Sequence, residues 1–186
     1  IPTGGHDRIH HLLGGPDRPV TRATGTQAMI APVERAGLVA AGTYATGVHV
    51  QAVANSRGVF AYHRSTSASL SLTTLAEDSS GLGEQVSRDA SALGPVALGE
   101  RVLEKALRGC SPIEVPAGDY DVVLEANAVA ELVSFLPYLG LSALAYQEGR
   151  SFMSGRIGER ITGERITVVD DAQDPRGLGT PFDIKA

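Results

Sequence analysis

The feature that most constrains this chain is a period-two alternation that runs, with one interruption, from Val48 to Thr73. Val48, Val50, Ala52 and Ala54 alternate with His49, Gln51 and Val53, then Asn55-Ser56-Arg57-Gly58 supplies turn chemistry before Val59-Phe60-Ala61-Tyr62 resumes the pattern. Successive side chains of a strand point to opposite faces, so the spacing predicts a β-hairpin closed by that turn. Further on, Thr66, Ala68, Leu70 and Leu72 alternate with Ser65, Ser67, Ser69, Ser71 and Thr73. One face of that strand is mildly apolar and the other wholly hydroxylated, which predicts an antiparallel sheet with one wetter side.

Helical spacing brackets the sheet. Met29, Ile30, Val33, Ala36 and Leu38 predict a helix over 27–39, with Pro32 tolerated in its first turn. Pro95 at a start and Gly109 past an end, with Val96, Leu103, Ala106 and Leu107 between, predict an amphipathic helix. Tyr120 to Leu124 reads as a short strand feeding a helix that is capped by Asn127, carries Val129, Leu132, Val133 and Leu136 at i, i+3, i+4 and i+7, and ends at Pro137 and Gly140. A further helix is expected over Leu141 to Gln147, and a strand over Glu164 to Val169 that stops at Asp170-Asp171. The first residues, rich in glycine and proline, read as a loop or frayed start. Together these elements describe an α+β fold of antiparallel hairpins and sheet with packed helices. The expected division is a loop or frayed segment over 1–24, the end of an N-terminal α/β domain over 25–115 and the start of a C-terminal β-rich domain over 116–186. No repeat is present and no terminal element seals a core, so the chain reads as a piece of something longer.

Composition removes several function classes. Hydrophobic residues at 42% suffice for an ordinary core, whereas aromatics at 5% with no Trp leave packing to Ala, Val and Leu. A net charge of −5 without any block of Lys and Arg gives no footprint for a phosphate backbone, so direct nucleic-acid binding is not expected. The single cysteine, Cys110, excludes an internal disulfide and fits a reducing, cytoplasmic setting. It follows a helix end, where the dipole disfavours a thiolate, and reads as structural. No apolar run approaches the roughly 20 residues needed to cross a bilayer, and Ile1 to His11 lacks a signal-peptide stretch, so no membrane association is expected.

The five histidines, His6, His10, His11, His49 and His63, all lie in the first third of the chain. No stretch places two imidazoles and a carboxylate on one helix face, as a helical zinc motif requires. His10-His11 read as a solvated loop pair. His49 and His63, on paired strands, could face each other, although partly exposed sheet residues are the commoner case. Serines 65 to 71 follow strand alternation and form no G-x-S-x-G elbow. Glycines 155, 158, 163, 177 and 179 have no phosphate-loop spacing. The remaining candidates are carboxylates: Glu125 and Glu131, flanking the start of a helix after a strand, and Asp170-Asp171 with Asp174, which could hold a hard cation. A solvated helix surface and an acidic turn are the competing readings.

Four segments in order carry a resemblance. Residues Gly47 to Tyr62, with Ala52-Val53-Ala54-Asn55-Ser56-Arg57-Gly58 at their centre, resemble the "AVANS-x-G" hairpin of the TldD/PmbA family, the modulators of DNA gyrase linked to a peptidase pair. Tyr120-Asp121-Val122-Val123-Leu124 is similar to its "YxVVL" strand, Gly149-Arg150-Ser151 running to Gly158 to its "GxS…GxxG" stretch, and Ile166 to Asp171 continuing to Gly179 and Asp183 to its "VTIVDDP…G…FDDEG" run. The last match departs at Ile184-Lys185. The resemblance covers roughly residues 36–183 and implies the middle of a family member.

It further implies two related subunits, one carrying an HExxxH zinc motif on the helix after "YxVVL" and the other lacking it. Here that position reads Glu125-Ala126-Asn127-Ala128-Val129-Ala130-Glu131, with no imidazole. The resemblance is therefore closer to the TldE/PmbA branch. It implies a chain without a metal or catalytic residue of its own, paired with a zinc-bearing TldD-like subunit or with itself, and acting on peptides or unfolded segments. The alternatives are a stand-alone metallopeptidase or hydrolase built on Glu125, Glu131, Asp170 and Asp171, or a non-enzymatic module that modulates DNA gyrase.

Overall fold

The computed structural model describes residues 18–182 apart from Pro175. Two compact units divide the chain, one formed by Ile1–Glu114 with Asp171–Ala186 and the other by Val115–Asp170. The first contains helix α1 (Arg18–Arg35), strands β1 (Val39–Ala54), β2 (Phe60–Leu75) and β3 (Ser80–Ser87), a 3₁₀ turn (Ala90–Ala92) and helix α2 (Pro95–Arg108). The second contains helices α3 (Ala126–Leu139) and α4 (Ala143–Gln147). The α+β class stands.

The expected hairpin is present and far longer than its alternation suggested. β1 and β2 pair antiparallel over all 16 residues of each, from Val39↔Leu75 to Ala54↔Phe60, which at strand rise spans roughly 50 Å. Its turn closes as anticipated. The Asn55 side chain accepts hydrogen bonds from the backbone N–H groups of Arg57 at 3.0 Å and Val59 at 3.1 Å, and Gly58 takes the left-handed conformation at φ +85° that favours glycine. The two stretches read as separate strands, 59–62 and 65–73, are one continuous β2.

The faces divide as predicted. Thr66, Ala68, Leu70, Leu72 and Thr74 of β2 are buried, and Leu70 and Leu72 meet Met29 and Val33 of α1 with Leu98 and Val102 of α2 in a single core cluster. Ser65, Ser67, Ser69 and Ser71 on the opposite face are half-buried. β3, which alternation did not reveal, pairs antiparallel with β2 from Ala68↔Ser87 to Leu75↔Ser80. Its inward positions are Gly81 and Gly83. A Cβ on Gly81 would fall on the Val102 carbonyl, and one on Gly83 would meet the Val102 and Leu98 side chains, so the two glycines let α2 lie close against the sheet.

Several expectations need correction. The helix predicted over 27–39 begins at Arg18 and ends at Arg35, so residues 18–24 are helical where a loop was expected, and Pro32 sits in its last turn. The loop expected before that, with His6, His10 and His11, lies outside the described residues. Gly37 at φ +71° closes the helix, with Leu38 N–H donating to the Val33 carbonyl at 3.2 Å and Gly37 N–H to that of Glu34 at 2.9 Å, a pattern that satisfies the last carbonyls. The α2 boundaries agree with the sequence reading. α3 starts two residues earlier than expected, with Glu125 at its N-cap in place of Asn127, and it runs through Pro137 to Leu139. The strands expected over 120–124 and 164–169 do not form. A strand needs a neighbour for its N–H and C=O groups; neither segment has one among the described residues, and Val123 is 100% exposed.

In the second unit, the turn after α4 is tied to the end of α3. The Ser151 hydroxyl, buried, donates to the Gly140 carbonyl and accepts from the Met153 N–H at 3.0 Å. Gly149, at φ +71°, allows the chain to turn back, and Arg150 N–H bonds the Ala145 carbonyl at 2.9 Å.

Candidate functional site

The described part of the first unit offers a groove of about 590 Å³ on the hydroxylated sheet face. The β1–β2 register builds its floor. His49 lies opposite Ser65, and Gln51 opposite His63, so all four share one face with the two histidines diagonal to each other instead of directly opposed. His49 Nε2 sits 3.2 Å from Ser67 Oγ. A Cβ on Gly47 would lie 3.3 Å from that hydroxyl and 3.5 Å from His49 Nε2, which places the His49 ring over Gly47 and turned toward Ser67. His63 Nε2 is buried without a hydrogen-bond partner among the described residues.

The other wall is Leu178 and Thr180, held in place by Arg88 immediately after β3. Its guanidinium Nε donates to the Gly177 carbonyl and its NH2 group to the Gly179 carbonyl at 3.1 Å. The wall thus comes from a segment about 90 residues away in sequence, docked by two charge-assisted hydrogen bonds. Beside it, the Arg176 guanidinium bonds both carboxylate oxygens of Asp174 at 2.7 to 3.2 Å, and this pairing lowers the Asp174 carboxyl to about 2.

The carboxylates singled out in the sequence are dispersed. Glu125 caps the start of α3 without a side-chain bond to the helix backbone. Glu131, two turns along, is exposed, and its backbone carbonyl accepts the Ser134 hydroxyl at 2.7 Å. Asp170 is exposed, and Asp171 uses its side chain to accept the Gln173 N–H at 2.9 Å, shaping a turn. Among the described residues no three His, Cys, Asp or Glu side chains converge on a point that could hold a metal ion. Two carboxylates and no imidazole on the 125–131 segment do not fit a zinc centre. Cys110 is exposed, with its sulfur 3.4 Å from both the Ala106 carbonyl and the Ser79 hydroxyl. No helix among the described residues is long and apolar enough to cross a membrane.

Sequence reading singled out the two hairpin histidines but missed the wall that turns them into a groove. Arg88 was silent because nothing local distinguishes it; its role depends on the return of residues 177–180 to the sheet.

Comparison with known proteins covers most of the chain. Residues 21–109 match the PmbA/TldA metallopeptidase central domain, and residues 117–184 match the PmbA/TldA metallopeptidase C-terminal domain. A metalloprotease of Methanothermobacter thermautotrophicus is 30% identical over 74 residues, 40% of this chain and 16% of that protein. An uncharacterized protein of Methanocaldococcus jannaschii is 41% identical over 51 residues, 27% of this chain and 12% of that protein. In three dimensions the chain is similar to a crystal structure named as a modulator of a DNA gyrase from Thermotoga maritima, with a TM-score of 0.75 and 24% identity over 87% of this chain, a likeness that shows the shared fold. The chain spans about two fifths of that structure, 39%, and smaller shares of the other two relatives. With two family domains matched in order along 21–184, the chain belongs to the TldD/PmbA family of metallopeptidase domains.

Proposed function

We propose that this chain is part of the zinc-free subunit of a two-subunit metallopeptidase, where it holds peptide substrate while a histidine-bearing family member supplies the metal. One observation carries the reading: the first turns of α3 read Glu125-Ala126-Asn127-Ala128-Val129-Ala130-Glu131, with two carboxylates and no imidazole where the family's zinc-bearing branch has HExxxH. Carboxylates alone favour hard cations over zinc, so this helix lacks the imidazole ligands of a zinc peptidase. Substrate is a peptide or an unfolded segment.

β1 supports the substrate-holding role. Among the described residues it pairs on one side only, with β2, and Val39–Ala54 contains neither proline nor a formally charged residue. Natural sheets blunt an edge of this length with Lys, Pro or bulges. An unblunted edge accepts an extended peptide by adding a strand, with main-chain hydrogen bonds giving affinity irrespective of sequence.

The test is co-purification of the full natural protein with an HExxxH-bearing family member, followed by a peptidase assay on an unfolded polypeptide. A stable complex that cleaves peptide, with this protein inactive alone, is expected. Cleavage by this protein unaided, or absence of a complex with any such family member, overturns the reading.

A further inference from the structure

We propose that the groove between the hydroxylated sheet face and residues 178–180 is an oxyanion-binding site, taking a carboxylate or a phosphate group with His63 as its principal donor. The inference stands independently of the peptidase reading.

Three observations carry it. First, His63 Nε2 is buried with no hydrogen-bond partner among the described residues, and an orphaned polar atom of this kind is costly unless something meets it. Second, the other described polar side chains lining the groove, including those of His49, Gln51, Ser65, Ser67 and Thr180, are imidazole, amide and hydroxyl, all able to donate, and none of the described lining residues is a carboxylate. Among the described lining residues a cation would find no counter-charge, whereas an oxyanion would find several donors. Third, the wall is fixed: Arg88 grips the carbonyls of Gly177 and Gly179 on either side of Leu178, so the groove is a built feature that also carries a guanidinium beside it.

A transition-metal ion is the competing occupant of any two-histidine site. The geometry disfavours it. His49 turns its ring over Gly47 toward Ser67, along the strand away from Gln51, which is the residue opposite His63, so the two imidazoles do not converge.

The experiment titrates the isotope-labelled full chain, near neutral pH, with inorganic phosphate, with acetate and with zinc chloride in separate arms, following the side-chain nitrogen resonances of His49 and His63. A saturable shift of His63 with phosphate or acetate is expected, and the tighter of the two identifies the source of the oxyanion. His63→Ala should weaken that binding by about tenfold or more, as loss of a bond to a charged partner does. His63→Gln, which keeps an N–H donor, should recover part of it. Thermal melts confirm that each variant is folded; if His63→Ala is not, Ser65→Ala takes its place and should weaken binding several-fold. No saturable shift with either anion, a response to zinc alone, or undiminished binding in the folded variants overturns the proposal.

Discussion

Leu72 of β2 and Val102 of α2 are fully buried, while Val123 and Tyr138 of the second unit are 100% and 82% exposed. The first unit closes its core from its own elements. Two helices lie on one face of a three-stranded sheet, Gly81 and Gly83 bring α2 close to the strand, and Gly99 lets α2 approach α1 so tightly that a Cβ there would fall on the Met29 carbonyl. The unit of residues 115–170 has no equivalent: none of the α3 residues is buried, and its ordered knot is the short closure around Ser151, Gly140 and Ala145. Burial of apolar area is the dominant favourable term in folding. The two units therefore differ in what holds them, packing in one and a few backbone-directed hydrogen bonds in the other.

Hydrogen exchange gives the largest contrast. Amides of β2 between Ala68 and Thr74 should exchange only with global unfolding, whereas those of α3 should exchange orders of magnitude faster through local opening. Equal protection in both would break the comparison. Side-chain truncation follows. Leu72→Ala should destabilise by roughly 2–5 kcal/mol through lost burial and the cavity left behind, while Leu132→Ala in α3, where the side chain is 59% exposed, should change stability by no more than about 0.5 kcal/mol; denaturant melts of both variants measure this.

Close approach supplies the next test. Gly99→Val forces α1 and α2 apart and should cost roughly 1–3 kcal/mol or more, read as a lower thermal midpoint. A smaller effect of opposite sign is expected at Thr74, whose buried Oγ1 has no partner among the described residues. Thr74→Val removes the orphaned hydroxyl at nearly constant volume and should raise stability by about 1 kcal/mol. The smallest effect concerns Asp174. Its pairing with Arg176 holds the carboxyl near 2 against an ordinary 3.8, so the favourable interaction is complete above the ordinary value and is lost as pH falls through about 2. Carboxyl-carbon NMR should show this titration, and Arg176→Ala should return it to the ordinary range with no measurable change in melting, as befits an exposed pair.

How much of this was legible varies with how local the determining physics is. The hairpin turn was readable because Asn55 and Gly58 carry its chemistry themselves. The two faces of β2 were readable because Leu70 and Leu72 alternate with serines. β3 was hidden for an instructive reason: its inward positions are glycines and its apolar residues, Leu82 and Val86, point outward and are exposed, inverting the usual pattern. α1 was misplaced because Pro19 looks like a breaker. Pro19 lies in the first turn, where a missing N–H is harmless, and Gly25 provides the space occupied by the Tyr44 ring. Tyr120–Leu124 and Glu164–Val169 have strand-like composition, yet a strand is defined by its neighbour, which composition does not carry. Of the candidate site, the histidines could be seen in the sequence; the Arg88-held wall could not, since it depends on contacts across about 90 residues.

The most direct test of the zinc-free assignment is elemental analysis of the purified protein, alone and in complex with a family member that carries HExxxH. Zinc in stoichiometric amount only in the complex is the result predicted. One tightly held zinc per chain in the isolated protein, lost when Glu125 and Glu131 are replaced by Ala, would contradict it.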